Sequence, residues 1–267
     1  MNASVKTVYA QRLRSAIHQL IGLCASFFVV DVVCAQPSQA PKLPIEISNT
    51  RVIYDEQAPS ASFSVQNHGE IPYMVAVEVN TFCGLDKQCP STEDFMATPG
   101  FRVIRPGERF SFRIVRLVDD LPRDKESLYL IHFQIIPSQI QLSAEQIKAS
   151  RINVALDGNM KLFWRPADLA GAFLGYEISS HLTARCVGNS LELKNSSPFW
   201  GTFSDIKAVD KSLLNAGPLP MIAPNSKLSL NILSCPRELE VSFIAESGKT
   251  TTVRKIKVQT EEFGSSE

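Results

Sequence analysis

The sequence predicts an all-β protein made of two immunoglobulin-like sandwiches in tandem, and three observations carry that prediction. Short β-like runs follow one another from Leu43 to Thr260, turn residues separate them, and the pattern restarts once, after Arg165-Pro166. Each half is then near the length of one sandwich. Of the 267 residues, 27 are basic and 27 acidic, so charge gives no reason to expect a nucleic-acid partner, and no apolar stretch reaches the roughly 20 residues of a membrane span.

The first element is not part of either sandwich. Lys6, Arg12 and Arg14 precede the apolar stretch "LIGLCASFFVV" at 20–30, and Val33 and Ala35 are small residues placed for a cut. Residues 1–35 therefore read as a secretory signal peptide cleaved after Ala35, and the mature chain as an exported, near-neutral protein. Residues 36–165 form the expected first domain, with runs at "ASFSVQN" (61–67), "YMVAVEV" (73–79), "FRVI" (101–104), "RFSFRIVRL" (109–117) and "SLYLIHFQII" (127–136). "SAEQIKAS" at 143–150 reads as a loop or a single helical turn. The domain closes on "RINVALDGNMKLFWRP" at 151–166, in which Ile152, Val154 and Leu156 alternate before Gly158. Residues 166–267 form the second domain, from "GYEISSHLTARCV" through "SLELKNSS", "FWGTFSDIKAV", "KLSLNILS" and "LEVSFIAES" to "TTVRKIKVQT".

Four cysteines remain after the signal: Cys83, Cys89, Cys186 and Cys235. An even number in an exported chain reads as disulfides. Cys83 and Cys89 bracket a turn-like stretch and staple one hairpin, while Cys186 and Cys235 both lie in the second half. No Cys-x2-Cys spacing supports zinc. Catalytic signatures are missing too: there is no G-x-S-x-G, H-E-x-x-H, P-loop or G-x-G-x-x-G pattern. His68, His132 and His181 have no carboxylate or histidine at ligand spacing, and His18 leaves with the signal. The sequence thus predicts neither an enzyme nor a cofactor, metal or ATP requirement.

Two cations embedded in β runs stand out: Arg51, opening "RVIY", and Lys161, between Met160 and Leu162. In a variable-type sandwich the first and last strands run side by side, which brings the two together. Adjacent positive charges repel unless an anion joins them, so the pair predicts a carboxylate or phosphate ligand.

The blocks "NTRVIYDE", "FRVIRPGERFSFRI", "LPRDKESLYLIHFQIIP" and "MKLFWRP" resemble, in order and spacing, those of the periplasmic pilus chaperones, the PapD-like family. Beyond 166 the resemblance rests on "NSSPFWGTFSDI" and "MIAPNS". It implies a boomerang of two immunoglobulin-like domains that binds pilus or fimbrial subunits and delivers them to an outer-membrane usher, without ATP. The last strand of the first domain would be lent to a subunit lacking one, with Ile152, Val154 and Leu156 as donor side chains. Arg51 and Lys161 match the residues that bind the subunit's terminal carboxylate, and Glu126, Arg165 and Glu246 match an ionic network joining the domains, the family usually having Asp at the third place. Family members commonly show Thr-Pro-Pro where this chain has Thr98-Pro99-Gly100, which leaves a cis peptide there open. The short 138–150 segment favours chaperones of rod-like or adhesin-tipped pili.

An exposed donor strand also gives the free protein a surface for self-association. Five residues separate Leu156 from Lys161, so strict alternation puts them on opposite faces, and a bulge at Gly158 is expected to restore a common facing. The alternative is a secreted two-domain structural subunit or adhesin. Its weakness is the proline-rich mature start "QPSQAPKLP", a poor donor strand.

Overall fold

Alternation in the first β segment is interrupted by Ser48-Asn49-Thr50, and there the chain changes sheets. Strand β1 (Ile45–Ile47) pairs antiparallel with β3 (Ala61–Asn67), whereas β2 (Arg51–Asp55) lies parallel to β9 (Leu156–Arg165). In this computed structural model the described residues are 44–84, 87–138, 155–170, 178–209, 211–214 and 218–260. The signal segment, the 143–150 turn and the donor positions Ile152 and Val154 lie outside them.

The other strands of the first half are β4 (Tyr73–Thr81), β5 (Phe95–Thr98), β6 (Phe101–Ile104), β7 (Arg109–Arg116) and β8 (Ser127–Pro137). They form two sheets, β1-β3-β7-β5 and β2-β9-β8-β4-β6. Their inward side chains make one core, in which Tyr54, Phe95 and Trp164 pack with ring centroids 5.4 to 6.0 Å apart. Burial of such large aromatics, with the aliphatic side chains around them, stabilises the domain. The peptide Thr98–Pro99 is cis, which settles the point the sequence left open.

The second half runs β10 (Leu182–Val187), β11 (Ser190–Asn195), β12 (Gly201–Ala208), β13 (Lys211–Ser212), β14 (Met221–Ile222), β15 (Lys227–Asn231), β16 (Glu238–Phe243) and β17 (Arg254–Thr260). Among the described residues these join into one curled sheet, β13-β12-β16-β17-β10-β11-β15, with β14 on β12. It encloses a separate core around Leu191, Phe199, Phe203 and Phe243. Disulfides join Cys83 to Cys89 and Cys186 to Cys235.

The expected bulge at Gly158 is absent. β8 and β9 pair without a register shift from Ile135↔Leu156 to Ser127↔Trp164. Gly158 sits opposite Phe133, and a Cβ there would come within 2.7 Å of the Phe133 ring. The glycine makes room for a cross-strand aromatic.

Candidate functional site

The site begins with register. Parallel pairing of β2 with β9 sets Arg51 directly beside Lys161 on the outward face of the five-stranded sheet. The Arg51 guanidinium lies 5.8 Å from the centre of the Phe163 ring and donates from Nη1 to the carbonyl of Ile244, 3.1 Å away in the second half. Its Nε is buried and has no hydrogen-bond partner among the described residues. Burial pushes Arg51 down from its ordinary value, opposed by the charges of Glu126 and Glu246. Lys161 is half-buried, and burial together with Arg51 pushes its ammonium down to about 8. Two crowded, partly desolvated cations with an unused donor make an anion site. A carboxylate would relieve the repulsion and take charge-assisted hydrogen bonds.

Glu126, Arg165 and Glu246 also meet. Arg165 donates from Nε and Nη2 to Glu126 Oε1 at 3.0 and 2.8 Å, and Nη2 lies 2.6 Å from Glu246 Oε1. The other Glu126 oxygen accepts the backbone N–H of Trp200 at 2.9 Å. Both Glu126 and Arg165 are buried. Burial pushes the Glu126 carboxyl up, while Arg165 and the Trp200 N–H pull it back; the two carboxylates hold Arg165 charged. This network and the Ile244 carbonyl tie the two halves together around the cation pair.

Leu156 is partly buried against the first domain's own core, on the same face as Met160, Leu162 and Trp164. Without a bulge, Lys161 faces the other way. Sequence reasoning missed three contributors here: Ile244, whose carbonyl holds Arg51; Trp200, which bonds Glu126 and packs its ring 5.5 Å from Phe82; and Glu56, which accepts from the backbone N–H of Ala167 just after β9. All act across long separations, so no local pattern announces them. Among the described residues no cluster of metal-ligating side chains occurs.

Two immunoglobulin-like domains joined around a half-buried cation pair define a class of two-domain β-sandwich protein. Residues 44–170 match the family described as "Pili and flagellar-assembly chaperone, PapD N-terminal domain", and 177–255 match "Pili assembly chaperone PapD, C-terminal domain". The probable fimbrial chaperone LpfB of Escherichia coli O157:H7 is 32% identical over 189 residues, covering 70% of this chain and 75% of that protein. The chaperone protein FanE of Escherichia coli is 26% identical over 230 residues, 85% of this chain and 96% of that protein. Of solved structures, the Salmonella enterica SafA pilin–SafB chaperone complex superposes with a TM-score of 0.64 at 24% identity, covering 82% of this chain and 98% of that one. The E. coli chaperone DraB gives 0.62 at 23%, covering 80% and 98%. The chain belongs to the PapD-like family of periplasmic pilus-assembly chaperones. Its relatives are chaperones, so the structural-subunit alternative is not favoured.

Proposed function

We propose that this chaperone captures pilus subunits by anchoring the subunit's terminal carboxylate between Arg51 and Lys161 and lending it the segment before β9. The observation that carries the reading is the Arg51↔Lys161 pair, with a buried Arg51 N–H that has no acceptor among the described residues. Ile152, Val154 and Leu156 supply the apolar side chains. At about 1.5–3 kcal/mol each, three such side chains contribute several kcal/mol before ordering costs, enough for a stable yet exchangeable complex.

The opposite facing of Leu156 and Lys161 fits this division of labour. Leu156 is the first strand residue of β9 and is only partly covered by the domain's own core. In this reading Ile152 and Val154, upstream of it, pack into the subunit's groove. The anchor meanwhile works from the other face, beside the second domain. Exchange for a competing strand at an outer-membrane usher then releases the subunit with no nucleotide and no enzymatic step.

In this reading residues 1–35 direct export and are removed after Ala35. The mature chain divides into 36–165 and 166–267, with Glu126, Arg165 and Glu246 fixing the two domains. The test is co-expression with the subunits encoded beside this chain, followed by purification from the periplasm. Wild type should retain a subunit, and Arg51→Ala and Lys161→Ala should fold and lose it. Retained subunit in both variants overturns the anchor.

A further inference from the structure

Phe82 lies one residue past the end of β4 and one before a disulfide, and its ring contact is with the other domain. The Thr81 N–H donates to the Pro90 carbonyl at 2.9 Å and the Thr92 N–H to the Val79 carbonyl at 3.0 Å, so the chain returns beside β4. The Cys83–Cys89 bridge closes that excursion. A residue just past the last ladder bond of a strand frays unless it is tied down. Here backbone pairing holds Phe82 on one side and the disulfide on the other.

The Phe82 ring meets Trp200 edge to face, with centroids 5.5 Å apart and planes at 79°. Both residues are half-buried. The segment that carries Trp200 is also held by one residue of the first domain. The Glu126 N–H donates to the Pro198 carbonyl at 2.9 Å, and the Trp200 N–H donates to Glu126 Oε2 at 2.9 Å. Two hydrogen bonds to one residue leave a segment able to pivot about it, and a ring contact at the end of a neighbouring strand removes that freedom. Leu128 and Phe163, paired across β8 and β9 on the face that carries Lys161, are 7% and 3% exposed yet belong to neither domain's core. Burial on the outward face of a sandwich needs cover from outside it, so a seam begins one row past the anchor.

We infer that Phe82, fastened by the Cys83–Cys89 disulfide, is a positioning residue for subunit capture. By packing on Trp200 it sets the second domain, and with it the Ile244 carbonyl that holds Arg51. The inference rests on the subunit-capture reading and gives the disulfide a part in it. Without the ring the second domain samples orientations in which Arg51 is not held, and affinity falls with the fraction that remains competent. An aromatic pair of this geometry sets the loss at about twofold to tenfold.

The test uses the full chaperone and the subunit encoded beside it, with capture measured as a dissociation constant and thermal melts to establish that each variant is folded. Of the chain's two tryptophans, Trp164 is buried in the first core, so a change in emission reports Trp200. Phe82→Ala should weaken capture about twofold to tenfold and shift emission to the red, and Phe82→Tyr, which keeps a ring, should restore both. Phe82→Ala/Trp200→Ala should bind no more weakly than the worse single variant, as two halves of one contact require. Cys83→Ser/Cys89→Ser should weaken capture too, but not further once Phe82 is replaced. A bridge that only restrains the unfolded chain would lower the melt and leave capture alone, which overturns the fastening. Capture unchanged in Phe82→Ala but lost in Arg51→Ala overturns the role of Phe82 and leaves the anchor standing. Additive losses in Phe82→Ala and Trp200→Ala also overturn it, because Phe82 then acts on the subunit and not through the second domain. Capture unchanged in Arg51→Ala removes the anchor and the positioning of it together.

Discussion

If Lys161 is half of a carboxylate anchor, capture must weaken as the solution is made basic, and the structure sets the window. Burial and the neighbouring Arg51 hold the free Lys161 ammonium at about 8, against an ordinary value of 10.5. A bound carboxylate offsets both causes and returns the group towards its ordinary range, so between about 8 and 10 binding takes up a proton and affinity falls as pH rises. From pH 7 to pH 9 the charged fraction of free Lys161 drops from about nine-tenths to about one-tenth, which predicts a loss of roughly tenfold. Arg51 stays charged throughout and leaves a floor. The assay is fluorescence anisotropy of a subunit's carboxyl-terminal peptide, acetylated at its amino end so that no other group of the peptide's termini titrates in the window. An amidated copy should bind weakly at every pH. Lys161→Arg should show a flat profile whatever its absolute affinity. For the free protein the sign is opposite. The unfolded chain holds the Lys161 proton more tightly than the folded one, so between about 8 and 10.5 this group's contribution to stability grows with pH, and weakened binding there cannot be attributed to it through unfolding. A flat wild-type profile from pH 7 to 9.5 would refute the anchoring role of Lys161.

The ionic network and the strand make separate predictions. Glu126→Ala removes the buried carboxylate that accepts two hydrogen bonds from the buried Arg165 guanidinium, and should cost about 3–5 kcal/mol in urea unfolding. Glu246→Ala, whose side chain is 39% exposed, should cost no more than about 1 kcal/mol, and equal losses would mean that burial does not govern the network. Gly158→Ala drives a methyl into the Phe133 ring and should destabilise by about 1–3 kcal/mol. Combining it with Phe133→Leu should recover part of that loss relative to Phe133→Leu alone, and strictly additive effects would show that the ring is not what excludes a side chain.

How much was legible in the sequence depended on whether one chain segment held the whole signal. β3, β4 and β7 bury mainly one face, as β8 does from Ile131 on, so their alternation is visible locally, and the Arg51–Lys161 pair followed from placing first and last strands side by side. β5, β13 and β14 are two to four residues long and exist because a longer strand pairs with them, which no window of sequence displays. Gly158 was misread for a related reason. A glycine inside a strand means either a bulge or a close neighbour, and the neighbour, Phe133, is 25 positions away in sequence. In "KLFWRP" both Phe163 and Trp164 are buried, on opposite faces, since the outward one lies under Arg51.

The second domain contacts the cation pair as well as the network, and Gly248 tests that coupling. Ile244 carries the carbonyl that Arg51 donates to, Glu246 reaches Arg165, and the turn closes with Ala245 and Gly248 hydrogen-bonded at 2.9 Å. Gly248 has a φ of 80°, and a Cβ there would lie 2.6 Å from Thr50 Oγ1, on the residue before Arg51. Gly248→Ala therefore meets two separate penalties: a left-handed backbone, at about 1 kcal/mol or more, and a clash that pushes the turn off Thr50. Displacing the turn takes the Ile244 carbonyl from Arg51 without touching either cation. Subunit capture should fall while each domain stays folded. In Gly248→Ala/Thr50→Ala the clash is relieved but the backbone strain is not, so capture should return in part and stability should remain low. If Gly248→Ala lowers stability yet captures subunits as wild type does, the second domain is not what positions Arg51, and the anchor is preformed by the first domain alone.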